Sequence, residues 1–170
     1  MEKIINNENI EVCKKCGGRC CKSYAGAYHP NDFGDNITYE LLESAMETNN
    51  IAIDWYELDD GGMGLYLRPR HVDGGKIDPS WEGQCVNLTD NGCKLSFDER
   101  PYGCKSLVPN ISNACVEGTV SKLNAYEIWK PYQDILNKLY KKYVDTDYKV
   151  SGEADELDII LSEILGELIL

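Results

Sequence analysis

Apolar residues recur at helical spacing in three places along the 170-residue chain. In "TYELLESAMET" (38–48), Leu41, Leu42, Ala45 and Met46 fall on one helical face. Thr38 is a good N-cap, Glu40 suits the first turn, and Asn49 and Asn50 are expected to end the helix. Pro131 fits a first helical turn. Beyond it Tyr132, Ile135, Leu136, Leu139, Tyr140 and Tyr143 form an amphipathic stripe. "VDTDYKVSG" (144–152) reads as a break. A last helix is predicted from about Glu153, with Leu157, Ile160, Leu161, Ile164 and Leu168 on its apolar face. That helix either closes the core or offers a face to a second copy or another protein.

Between these segments the pattern changes to that of strands. "IAIDWYEL" (51–58) is rich in β-formers, and "GLYLRPR" (64–70) follows a turn-rich link, so the two predict a hairpin. "CVNLTDNGCKLSF" (85–97) predicts a second, tight hairpin about Asp90-Asn91-Gly92. "AGAYHPNDFGDN" (25–36) and "HVDGGKIDPSWEGQ" (71–84) read as loops. "DERPYGC" (98–104) reads as a turn or a single helical turn, with Pro101 holding Arg100 extended. The expected fold class is α+β. One small domain over 1–170 would organise short hairpins around a cysteine-cluster metal site and pack C-terminal amphipathic helices on them. Residues 10–110 would be the metal-binding region and 120–170 the helical part.

Composition changes this picture in one respect. Hydrophobic residues at 42% and charged residues at 27% are those of an ordinary globular chain. The net charge of −12 is not ordinary, and it disfavours nucleic acid and anionic membrane surfaces. The opening "MEKIINNENIEV" lacks the apolar stretch of a signal peptide, and no run approaches the roughly 18 apolar residues of a membrane span. A cytoplasmic location is therefore expected, where thiols stay reduced. Eight cysteines in that setting point to metal before disulfides.

The cysteines follow C-x2-C-x3-C-C-x63-C-x7-C-x10-C-x10-C. Cys13, Cys16, Cys20 and Cys21 form an N-terminal knot. The C-x2-C pair can turn both sulfurs onto one ion. Cys20 and Cys21 are adjacent, and in extended backbone neighbouring side chains point to opposite sides. The knot is therefore expected to be half of a site, completed by Cys85, Cys93 and Cys104. One composite site and two neighbouring sites both remain open, as do zinc and an iron–sulfur cluster, which both take thiolates. Cys115 is either a further ligand or a buried small hydrophobe.

Arg68, Arg70 and His71 concentrate positive charge in an acidic chain. They could offset a thiolate cluster, line a pocket for a small anionic ligand with Trp81 as its apolar wall, or pair with surface acids. Arg100 is expected to contact the cluster or a backbone carbonyl. His29 reads as a loop histidine.

"CKKCGGRCC" followed by "CVNLTDNGCKLSFDERPYGCKSLVP" resembles the YkgJ-type cysteine-cluster family. Its pattern falls on Cys13, Cys16, Cys20, Cys21, Cys85, Gly92-Cys93, Arg100-Pro101 and Cys104, with Cys115 outside it. The resemblance implies a zinc- or iron-chelating domain serving metal binding, electron transfer or metal handling. A lysine-methylating enzyme among that family's relatives carries a similar cluster, so group transfer or redox catalysis is a second reading. No S-adenosylmethionine motif stands in this chain to support it. A zinc-stapled protein-interaction module is the third.

Overall fold

The computed structural model describes residues 17–23, 25–78, 83–107 and 122–150, together with Lys15. Cys13, Cys16, Trp81, Cys115 and the helix predicted from Glu153 lie outside the described residues. In chain order the elements are α1 (Arg19–Ser23), a 3-10 turn (Pro30–Asp32), α2 (Tyr39–Met46), β1 (Ile51–Glu57), β2 (Met63–Pro69), β3 (Leu88–Thr89), β4 (Gly92–Cys93), α3 (Tyr102–Lys105), α4 (Lys122–Trp129), a second 3-10 turn (Lys130–Tyr132) and α5 (Gln133–Val150). The fold is α+β, with two small antiparallel sheets and helices packed on the larger one.

The first hairpin forms as its alternation predicts. β1 and β2 pair antiparallel from Ile51↔Pro69 to Glu57↔Met63. Two unlabelled segments extend this sheet. Tyr28 N donates to Leu67 O at 2.9 Å on the outer edge of β2. On the outer edge of β1, Ile53 N donates to Lys76 O at 2.8 Å and Asp78 N to Ile53 O at 2.9 Å. Parts of both predicted loops thus run as edge segments, because the hairpin's outward backbone groups need partners.

Thr38 caps α2, accepting from Leu41 N at 3.2 Å. Leu42 and Met46 are fully buried, whereas Leu41 sits at the exposed margin of the stripe. The helix ends at Met46, before the two asparagines, and Asn49 takes a left-handed conformation (φ 58°) that asparagine tolerates.

The C-terminal helices differ from expectation in two ways. Helix begins at Lys122, well before Pro131, and Pro131 lies in the 3-10 turn that joins α4 to α5. Proline lacks the N–H that a continuous α-helix would use there. α5 then runs through the predicted break to Val150. Trp129, Leu136 and Leu139 are fully buried against Ile53, Leu65 and Leu67, while Tyr132, Ile135 and Tyr140 flank them half-buried. Gln133 fastens α5 to the sheet: its Oε1 accepts from Leu65 N (3.0 Å) and its Nε2 donates to Leu65 O (2.8 Å). One side-chain amide thus serves as a strand partner. No helix among the described residues is long and apolar enough to cross a membrane.

Candidate metal centre

Gly17 (φ 64°) and Gly18 (φ 70°) are both left-handed, a conformation that glycine adopts at little cost. They turn the chain into α1, with Lys22 N donating to Gly18 O at 3.1 Å. Cys20 and Cys21 therefore lie on helical, not extended, backbone. Neighbours on a helix diverge by only about 100°, and the two sulfurs stand 3.9 Å apart. The expectation that adjacency separates them fails because the glycine turn starts a helix first.

The segments carrying Cys85 and Cys104 pack on this turn and on the stretch just after it. Cys85 N donates to Cys21 O at 2.7 Å. Gly18 packs so closely on Leu88 of β3 that an added Cβ would lie 2.6 Å from Leu88 Cδ1. Cys104, on α3, points its thiol at Gly26 O (3.6 Å), and Gly103 N donates to Ala27 O (2.9 Å). Gly26 and Gly103 permit that approach, since a Cβ on either would strike the other segment's backbone.

Cys85 and Cys93 do not face each other as paired arms of one hairpin. β3 and β4 are two residues each, pairing Leu88 with Cys93 and Thr89 with Gly92. The chain turns between Cys85 and Leu88 (Leu88 N to Cys85 O, 3.0 Å), so Cys85 bridges His71 instead. A cleft of ≈ 440 Å³ opens between knot and hairpin, lined by Gly17, Gly18, Lys22, Gln84, Leu88 and Gly92 among others.

The five described cysteines are free thiols. Cys20 is pushed down to about 6, first by the hydrogen bond from Cys21 and also by the positive charge of Arg100. Cys21 is pushed up by that same bond, then by burial and by the fields of Cys20, Cys104 and Cys85. Burial raises Cys104 and Cys85, and the other thiols add to it. Tyr28 is raised by burial, then by Cys104 and Cys85. Negative charge among these sulfurs is thus mutually unfavourable until a cation offsets it. Among the described residues, no three His, Cys, Asp or Glu side chains are already arranged to hold an ion.

The predicted basic patch divides. Arg68 is buried between Asp54 and Asp78: Nε lies 3.0 Å from Asp54 Oδ2 and Nη2 lies 3.1 Å from Asp78 Oδ1. Tyr66 Oη also donates to Asp54 Oδ2, at 2.7 Å. His71 completes the network, with Nδ1 3.1 Å from Asp78 Oδ2 and Nε2 3.3 Å from Arg68 Nη1. The tautomer protonated on Nδ1 satisfies both contacts. Burial, then Arg68, holds His71 below its ordinary value. Arg70 turns to backbone instead, donating to Asn49 O (2.7 Å), Val72 O (3.3 Å) and Gly74 O. Arg68 and His71 are thus brought together next to Cys85, while the Arg70 guanidinium turns away to backbone carbonyls of Asn49, Val72 and Gly74. Arg100 donates to Leu95 O at 3.3 Å while its charge acts on Cys20. His29 caps the 3-10 turn, accepting from Asn31 N at 3.1 Å.

Sequence reasoning missed Asp54 and Asp78, the two carboxylates that claim Arg68. A single acid inside an apolar strand, "IAIDW", was the available signal, since such an acid needs a buried partner. Asp32 was missed as well. Its Oδ2 accepts from His29 N and from Tyr102 N, both at 2.8 Å.

With this geometry in place, residues 12–127 match the family named CxxCxxCC, described as "Putative zinc- or iron-chelating domain". The chain belongs to that family. The match covers all eight cysteines, since it runs from before Cys13 to past Cys115. The family's short name counts two residues between its second and third cysteines, where this chain has Gly17, Gly18 and Arg19. No curated protein and no solved structure matches the chain.

Proposed function

We propose that this chain is a cytoplasmic metal-binding protein whose thiolates hold zinc or an iron–sulfur cluster at one composite centre. The observation that carries this reading is the close pair Cys20 and Cys21, to which the 83–93 segment is tied by Cys85 N donating to Cys21 O. Cys20 and Cys21 are 3.9 Å apart. Two thiolates on one tetrahedral zinc, at Zn–S of about 2.3 Å, stand roughly 3.8 Å apart, so the pair fits a shared ion. The charges of Cys85 and Cys104 act on Cys21, and that of Cys93 acts on Cys104. Cys13 and Cys16 of the knot complete the ligand set.

A bound metal would supply a charge that stabilises the thiolates and a staple between segments far apart in sequence. The chain's own residues prepare for it. Arg100 favours the ionised form of Cys20, and burial of Cys85 keeps water from its sulfur. Metal handling or electron transfer is the corresponding role.

Metal analysis of anaerobically purified protein tests this. Brown protein bleached by dithionite, with iron and sulfide, establishes the iron–sulfur form. Colourless protein with stoichiometric zinc establishes the zinc form. Protein that holds neither, and takes up neither on reconstitution, overturns the proposal.

A further inference from the structure

Asp32 belongs to no cysteine motif, yet it joins two segments 70 residues apart. Its Oδ2 accepts from His29 N and Tyr102 N, and Lys105 Nζ lies 3.8 Å from Oδ1. Tyr102 is the first residue of α3, the one-turn helix that carries Cys104. A single turn is not stable on its own, so outside contacts must set its orientation. Its N-cap, Pro101, has no side-chain acceptor to offer. Asp32 supplies that acceptor from the other segment. Lys105, in the last turn, closes the clasp.

We propose that Asp32 is a positioning residue for the metal centre: its carboxylate clasps α3 onto the 25–32 segment and so sets where the Cys104 sulfur stands. α3 also meets this segment through the Tyr102 ring, 5.4 Å from that of His29, and through the Cys104 thiol at Gly26 O. Gly103 N to Ala27 O and the Gly26–Gly103 approach fix its distance from the segment. A hydrogen bond at Tyr102 N, two residues before Cys104, adds a second anchored backbone point and so restrains the rotation of α3 about Gly103. The inference rests on the reading of Cys104 as a metal ligand.

Cobalt(II) alone is the probe, added to the metal-free full-length chain. Thiolate-to-cobalt charge-transfer absorption reports the number of bound thiolates, and competition with a chelator gives affinity. Asp32→Ala is expected to weaken cobalt binding about 10–100-fold, as loss of a ligand-orienting partner does. It should lower the charge-transfer intensity toward that of Cys104→Ser. Asp32→Asn, which keeps the acceptor oxygen, should restore most of both. The double variant Asp32→Ala, Cys104→Ser should lose no more than Cys104→Ser alone, since the two act through one sulfur. If Asp32→Ala does not fold, Tyr102→Pro removes the donor N–H at a position where proline is tolerated and carries the same expectation, while Tyr102→Ala, which loses the ring packed on His29 but keeps the N–H, should bind cobalt as the wild type does. Wild-type intensity and affinity in Asp32→Ala or Tyr102→Pro, or additive losses in the double variant, overturn the role of Asp32. Unchanged cobalt binding by Cys104→Ser overturns the ligand reading itself, and the inference with it.

Discussion

The most constrained side chain outside the thiols is Arg68. It is 2% exposed, and the two carboxylates it meets are equally buried. A buried ion pair is a weak source of net stability, but removing one partner strands the other charge. Arg68→Met would leave Asp54 and Asp78 facing each other without their shared cation. The expected cost is about 3–5 kcal/mol, read from urea unfolding. Arg70→Met should cost much less, because its backbone partners are neutral and its side chain is nearer solvent. Equal losses from the two variants would show that the buried network does not carry this charge balance. The contrast between these two arginines is not legible in "YLRPR", where they stand two residues apart. Only their placement on β2 and beyond it sends one inward.

At the scale of elements, α2 and α5 are joined by a polar seam over their buried faces. Lys142 Nζ lies 2.8 Å from Glu43 Oε1, Tyr143 Oη donates to Glu47 Oε1 at 2.7 Å, and Lys76 Nζ lies 2.7 Å from Glu47 Oε2. Glu43 is held below the ordinary glutamate value first by Lys142, and Glu47 first by Lys76. A carboxylate depressed in the folded state contributes stability above its unfolded pKa and loses it as pH falls through the folded one. Thermal unfolding midpoints should therefore drop as pH falls below the ordinary glutamate value of 4.5. The double variant Glu43→Gln, Glu47→Gln should flatten that drop. An unchanged acid limb in the double variant would assign the drop to other groups. The apolar stripe of α5 was readable from its spacing. The seam was not, because Glu43 and Lys142 are far apart in the chain.

At the scale of the molecule, the described residues fall into two differently supported regions. The β1–β2 hairpin with α2, α4 and α5 shares a dry core of Leu42, Met46, Leu65, Leu67, Trp129 and Leu139. The 17–23 and 83–93 segments meet through a backbone hydrogen bond and the Gly18–Leu88 contact, and 102–105 is joined to Gly26 and Ala27 in the same way. Under the proposed function, metal closes the long loops between these segments, whose closure entropy is otherwise unfavourable. Removing metal with a chelator should accelerate amide exchange in 17–23 and 83–107 and leave Leu65 and Leu67 protected. Uniform loss of protection would mean that the metal holds the core as well. No change anywhere would mean that the staple is absent.

What the sequence determined by itself was local. The Thr38 cap, the hairpin from Ile51 to Pro69 and the stripe along α5 are encoded within a few residues of where they act, by period and by capping chemistry. The spacing of the cysteines likewise pointed to the family. The tertiary structure decided where each buried polar group found its partner. It placed Cys20 and Cys21 on one helical turn, sent Cys85 to His71, committed Arg68 to Asp54 and Asp78, and carried Asp32 to Tyr102. The physical reason is that a buried donor, acceptor or charge must be matched. Chain neighbours rarely supply the match, so it comes from whichever distant segment the packed core brings within reach.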